Sequence, residues 1–505
     1  MTAAESAGRR PDVPALTGLR FLAAFSVLLA HGVAATVTNN EPPQGAVLWL
    51  TRSSGFGMTL FFVLSGFVIH YNYAGLVTDG RLRGIAAFLW ARFARLYPLF
   101  LLMMLVYVLV SQRHVAYWTG HPEKIDAIFQ AVPYFLLSIQ SWIYKVIDGG
   151  WLIDAIRGGS PPTWSISTEW FFYFAYPLVA WLILRARAPA IILLLLGIWC
   201  VLWSSFSCGL YDRTAQIDAW AVGRFGPVAG MQNYEDSFVL WLLYISPYLR
   251  IGEFVLGAMT AQLYVALQRR DVTRRENALG GALFWAAALS VLLVTYVEYS
   301  PDVAMTILRK MNMNFALAPS VALLVFCAAR YQSAASRLLT SRPAIALGEA
   351  SYSIYLVHSI VLISAVKLTG NVVHGTAYNV VKLIVLMAIV VAISLLLYAY
   401  YEAPARSWLR RRWGSRSAPV VFAAQSPASC PRCGLALAGP TLRWRKLLCT
   451  VFRSGCRRIE RGVDIGRRAD RIAARHVKGV EIERPAIGIE HRATRLRTQI
   501  GNGID

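Results

Sequence analysis

Charge is what this chain has least of. Only 15% of its 505 residues are Asp, Glu, Lys or Arg, where an ordinary soluble domain carries about 25%. That shortage, with 56% hydrophobic residues, excludes a water-soluble globular fold. Cysteine is sparse as well. Cys200, Cys208 and Cys327 fall in or beside hydrophobic segments and the other four lie in the C-terminal tail, so a framework of structural disulfides is not expected. A cleavable signal peptide is also missing: an Arg-containing N-terminus leads straight into the first apolar segment, with no small-residue cleavage site before a polar mature domain. No motif recurs in two halves, which argues against the internal repeats of many transporters.

What the chain has is apolar length. Runs of about 20 residues, enough to cross a bilayer, recur near 16–36, 57–75, 88–111, 163–183, 187–206, 237–267, 279–298, 314–330, 346–366 and 378–401. The fold class is therefore all-α: a polytopic membrane protein of about ten transmembrane helices, the sixth long enough to hold a tilt or a break. Every second connection is basic. Arg9 and Arg10 precede the first span, Arg81 and Arg83 the third, and Arg185, Arg187, Arg269, Arg270, Arg274 and Arg275 follow the fourth and sixth. By the positive-inside rule both termini are cytoplasmic, and the longer loops 112–162 and 207–236 are outside. The chain divides into a cytoplasmic segment 1–13, a transmembrane domain 14–412 and a basic tail 413–505. Roughly two thirds of the formal net charge of +23 comes from the region after Ala405. The tail reads as disordered and as a surface for anionic lipid rather than for specific nucleic acid. Its Cys430–Cys433 pair has no second CxxC, because Cys449 and Cys456 are wrongly spaced, so no metal site is expected.

Ionisable residues inside apolar spans are functional candidates, since a bilayer penalises them. Arg20 and His31 are eleven residues apart in TGLRFLAAFSVLLAHG: one helix face, separated by about 16 Å in depth. Interfacial snorkelling is the plain alternative for both. Arg92 and Arg95 share a face of the third span beside Tyr97 and suit either cytoplasmic anchoring or a polyphosphate. The stretch PPTWSISTEW places Thr163 or Ser165 to cap a helix, with Trp164 beside them and Glu169 in its first turns. Gly55, Gly57 and Gly66, near Ser65, allow close approach of helices or substrate. Arg250 and Glu253, three apart, make an intramembrane ion pair. Ser351, Tyr355 and His358 lie along one side of the ninth span, as a structural network or a working one.

Seven stretches occur in an order that carries more than any of them alone: TGLRFLAAFSVLLAH, LFFVLSGF, RFARLYP, TWSISTEW, LRIGEFVLG, LGEASYSIYLVH and YYEAPAR. Over about residues 14–410 the chain resembles the membrane-bound acyltransferase-3 family, which includes bacterial O-antigen, exopolysaccharide, Nod-factor and macrolide O-acyltransferases. The resemblance implies a ten-helix enzyme of the bacterial inner membrane. It moves an acyl group, commonly acetyl, from acyl-CoA to a sugar hydroxyl, with no tightly bound cofactor. It further implies that His31 is the essential residue of an Arg–ten residues–His signature begun by Arg20. Arg92 and Arg95 match the family's Arg-x-x-Arg motif, and Trp164, Ser165 and Glu169 match its fourth-span segment. The chain departs at Thr59, where many members carry an acid, and no SGNH esterase-like extension is recognisable after Trp413.

The expected chemistry follows. Arg92, Arg95 and Arg20 neutralise the donor's phosphates, and His31 takes the proton of the attacking hydroxyl. Ser65, Tyr355 or a backbone amide stabilises the oxyanion, and Trp164 and Glu169 meet the glycan acceptor from the outer side. The alternative class is a proton-coupled secondary transporter, since buried Arg, His and Glu also build proton relays. A third is a scaffold that works through the tail.

Overall fold

The computed structural model describes residues 11–37, 45–77, 82–118, 120, 123–153, 162–299, 315–369 and 375–414. The tail and its cysteine pair lie outside them. Among the described residues the chain is helical, apart from one antiparallel pair, β1 (Val146–Ile147) with β2 (Gly150–Trp151). In chain order the helices are α1 (Pro14–Thr36), α2 (Gly45–Arg52), α3 (Ser54–Val77), α4 (Leu82–Trp118), α5 (Glu123–Leu136), α6 (Thr163–Ile183), α7 (Pro189–Tyr211), α8 (Thr214–Phe225), α9 (Pro247–Leu267), α10 (Arg274–Tyr299), α11 (Ala318–Arg330), α12 (Ala334–Leu339), α13 (Arg342–Glu349), α14 (Ser351–Thr369), α15 (Thr376–Leu397) and α16 (Ala403–Gly414).

Eight stretches are long and apolar enough to cross a membrane, and α13 with α14, bent by 66°, makes a ninth. The eighth predicted span, 314–330, corresponds to α11, which has 13 described residues and is short of a bilayer at that length. The ninth predicted span, 346–366, is not one continuous helix: the chain turns at Ala350. The sixth contains the break its length suggested. A helical turn at Phe238–Leu240 passes into a π-turn at Trp241–Ile245, Ser246 is extended, and α9 restarts at Pro247. Proline forces the preceding residue out of the helical region, and the carbonyls freed by the break need partners at membrane depth. They find them in side chains: Arg250 Nε donates to the Tyr244 carbonyl at 2.8 Å, and the Thr168 hydroxyl to that of Ile245 at 3.1 Å.

Helices α3 and α9 form the closest pair, made possible by a reciprocal glycine contact. A Cβ on Gly66 would stand 1.9 Å from the Phe254 carbonyl oxygen, and one on Gly257 would stand 2.0 Å from that of Val63. Backbone meets backbone here, as small residues permit between helices in lipid. Of the two expectations for Gly66, helix approach rather than substrate approach is what the packing uses. Around this pair α1, α4, α6 and α14 gather, and these five helices other than α9 carry the site.

Candidate active site

A cavity of about 100 Å³ opens between α1, α3, α4, α6 and α14. Its order in depth follows from helix direction, because α1, α4 and α14 run opposite to α3 and α6. At one end lie Arg20, Arg92 and Tyr173; at the other lie Met58, Ser165 and Tyr355, with Arg95, Ser65 and Glu169 between. Phe61, Phe62, Ile69 and Ile166 supply apolar wall.

The polar groups of the middle are paired. Ser65 donates to Glu169 Oε1 at 2.7 Å. Arg95 donates to Glu402 Oε1 at 2.9 Å, and Ser353 to Glu402 Oε2 at 2.8 Å. Glu402 ends a π-turn, Tyr398–Glu402, that leads into α16, and it is only 2% exposed. Arg92 has a different setting. Its guanidinium donates to the Tyr73 hydroxyl and stands 4.4 Å from that ring's centre and 6.0 Å from that of Tyr173, and its Nε has no hydrogen-bond partner. Arg406 and Arg410 of α16 lie within electrostatic reach of Arg95 and Arg92. Five guanidiniums thus converge where, among the described residues, Glu169 and Glu402 offset them, and such an excess favours a polyanion.

The opposite end closes on hydroxyls. Ser165 donates to the Pro162 carbonyl at 3.0 Å, and its hydroxyl lies 2.7 Å from that of Tyr355, which also reaches Met58 Sδ at 3.5 Å. One helical turn beyond, His358 Nδ1 stands 2.6 Å from the Tyr355 carbonyl, and His358 Nε2 is 2.8 Å from His31 Nδ1. The two rings are 12° from parallel with centres 5.0 Å apart. A 2.8 Å N···N contact at that separation is edge to edge in a common plane, not a face-to-face stack. His358 is fully buried, while His31 is exposed in the second half of α1.

Residues 13–399 match the acyltransferase-3 family, described as an acyltransferase domain. The chain belongs to this family. It is 26% identical over 424 residues to "Acyltransferase MdmB" of Streptomyces mycarofaciens, which covers 82% of this chain and 97% of that one. It is 25% identical over 407 residues to "Putative peptidoglycan O-acetyltransferase YrhL" of Bacillus subtilis (strain 168), covering 78% of this chain and 55% of that protein. The chain therefore spans about half the length of that second relative. No solved structure matches. The protein is accordingly a multi-pass membrane acyltransferase, and the transporter alternative falls.

On this acyltransferase-3 domain the predicted residues divide by place. Arg20, Ser65, Arg92, Arg95, Ser165, Glu169, Ser351 and Tyr355 all line the one cavity. His31 does not; it meets the cavity only through His358 and Tyr355. Tyr97 stacks on Phe93, 4.6 Å between centres, and edges Trp170, off the cavity wall. Trp164 lies buried against Phe62 and Tyr244. Ser165 is not a cap: Pro162 occupies that position with no side-chain bond, and the Ser165 hydroxyl turns back to its carbonyl. Arg250 and Glu253 are 3.0 Å apart and buried, and Thr59 donates to Glu253 Oε1 at 2.7 Å. The residue that replaces the family's acid thus joins this ion pair, and Glu169 is held by Ser65 instead. The sequence reading missed Tyr73, Glu402, Arg406 and Arg410. Glu402 and Arg406 stand in YYEAPAR and Arg410 just after it; nothing local in the sequence says that this stretch returns to α4.

Proposed function

We propose that the enzyme transfers an acetyl group from acetyl-CoA to a hydroxyl of a sugar on a cell-surface glycan or a glycosylated metabolite. It does so in the bacterial inner membrane with both termini in the cytoplasm. The observation that carries the reading is one cavity with Arg20 and Arg92 at its basic end, Arg95 further in, and Tyr355 at the other end, where the helix continues to a histidine pair. Acyl-CoA has that polarity: phosphates at one end, a neutral arm, and a thioester at the tip. Arg92, Arg406 and Arg410 receive the phosphates, and the pantetheine arm passes between Phe61, Phe62 and Ile69.

The acceptor approaches His31 from the exposed face of α1. Its hydroxyl gives a proton to His31, its oxygen bonds to the thioester carbon, and the resulting oxyanion takes a hydrogen bond from Tyr355. Collapse breaks the C–S bond, and the leaving thiolate departs as thiol with the proton His31 held. Keeping the thioester within protein also limits loss of acyl groups to water. The name of the second relative, a putative peptidoglycan O-acetyltransferase, supports a glycan acceptor.

The test uses membranes containing the full chain, labelled acetyl-CoA and a panel of glycan and macrolide acceptors. Wild-type membranes are expected to yield an alkali-labile labelled product, and His31→Ala membranes with equal protein content to yield none. Transfer retained by His31→Ala overturns the role of His31; no labelled product on any acceptor overturns the donor and acceptor classes.

A further inference from the structure

The imidazole pair has a direction that its hydrogen bonds fix. A backbone carbonyl only accepts, so the 2.6 Å contact between the Tyr355 carbonyl and His358 Nδ1 requires the proton on that nitrogen. In a neutral imidazole the other nitrogen then accepts. His358 Nε2 is approached by His31 Nδ1 at 2.8 Å, with the Ser359 hydroxyl farther off at 3.2 Å, so the close His31 nitrogen must donate to its lone pair. His31 therefore carries its own proton on Nδ1, and its Nε2 is left with a lone pair. His358 is fully buried, and the electrostatic partners of the two rings are each other and the carbonyls of Ile354 and Tyr355. Among the described residues no carboxylate acts on either ring.

We propose that His358 is a positioning residue for His31: anchored on the Tyr355 carbonyl, it selects the His31 tautomer whose Nε2 is free to accept a proton. This rests on the proposed role of His31 as base. A catalytic base commonly has a third group to orient it, and a neutral histidine fills that place here. When His31 Nε2 accepts the hydroxyl proton, the Nδ1–H···Nε2 bond to His358 becomes charge-assisted and strengthens. The pair thus favours the state in which His31 is protonated and releases it when the thiolate takes that proton away. Without His358, the exposed His31 ring is free to rotate and to exchange tautomers.

Three variants test this in the full chain, with acetyl-CoA as donor and kcat and KM measured separately. His358→Phe keeps an aromatic ring but removes the acceptor; kcat is expected to fall about 100-fold, with donor KM within about 2-fold, the pattern of a lost transition-state contribution. His358→Gln restores an accepting oxygen, and its kcat is expected at least about 10-fold above that of His358→Phe. His358→Asp places a carboxylate against His31, stabilises its imidazolium, and is expected to move the acid limb of the kcat/KM profile to higher pH. The proposal is overturned if His358→Phe retains wild-type kcat, if Gln and Phe are equally impaired, or if the Asp variant's acid limb coincides with wild type. Should His358→Phe fail to insert, the Gln and Asp comparisons decide by the same criteria. A wild-type enzyme that transfers no acetyl group sinks the proposed function itself, whereas active wild type with indifferent His358 variants sinks only this inference.

Discussion

Arg92 and Arg95 are alike in sequence and unlike in surroundings. Arg95 is engaged by a buried carboxylate at 2.9 Å; Arg92 touches only tyrosines among the described residues and keeps an unpartnered Nε. Their substitutions should therefore fail differently. Arg92→Ala is expected to raise the KM for acetyl-CoA roughly 10-fold or more, as loss of one charge-assisted bond to a phosphate costs about 1.5–3 kcal/mol, while the protein folds normally. Arg95→Ala leaves Glu402 buried without its cation, at about 3–5 kcal/mol, and is expected to lower the yield and melting temperature of detergent-purified protein before it affects KM. Steady-state kinetics beside thermal melting separates the two; equal KM effects at equal stability would contradict the distinction. The sequence marked both arginines as candidates for one role. What distinguishes them, Glu402, arrives from 307 positions away, and no spacing rule reaches that far.

Helices were legible where periodicity and length decide them, and less so where they bend. The break before α9 was readable in outline, since SPYLR puts proline inside a span too long for a single crossing. The 66° turn between α13 and α14 was not: LGEASYSIYL has no proline, and apolar content is continuous through it. The π-turn that seats Glu402 leaves no sequence signature either, because one extra residue per turn does not disturb an all-apolar pattern. The α3–α9 contact supplies the test at this scale. Gly66→Ala and Gly257→Ala each place a methyl about 2 Å from a carbonyl oxygen of the opposing helix, which no rotamer relieves. Each is expected to cost about 1–3 kcal/mol, as overpacking does, visible as a lower melting temperature. Gly197, with nothing within 4 Å of its added Cβ, is the matched control and should tolerate alanine.

At the scale of the molecule, family membership and the count of apolar runs came directly from the sequence, whereas the joining of the site did not. Arg20 and His31 sit on one helix, yet only Arg20 reaches the cavity. His31 is connected through a partner 327 positions away, a pairing that only the assembled bundle creates. Every residue assigned to donor, base or oxyanion lies between Arg20 and Arg410, so a chain stopped after Gly414 is expected to retain transfer within about 2-fold of the full chain, as removal of groups that touch neither substrate should. Loss of activity in correctly inserted truncated protein would give the tail a role in catalysis and revive the scaffold reading.

Tyr355 serves the site twice, with its hydroxyl at the edge of the donor chamber and its carbonyl under His358. The second service belongs to the main chain. Any amino acid encoded at that codon brings the same peptide oxygen, so the foundation of the histidine pair survives every substitution there that leaves the helix intact. Genetic drift can silence the hydroxyl, but it has no means of erasing the anchor.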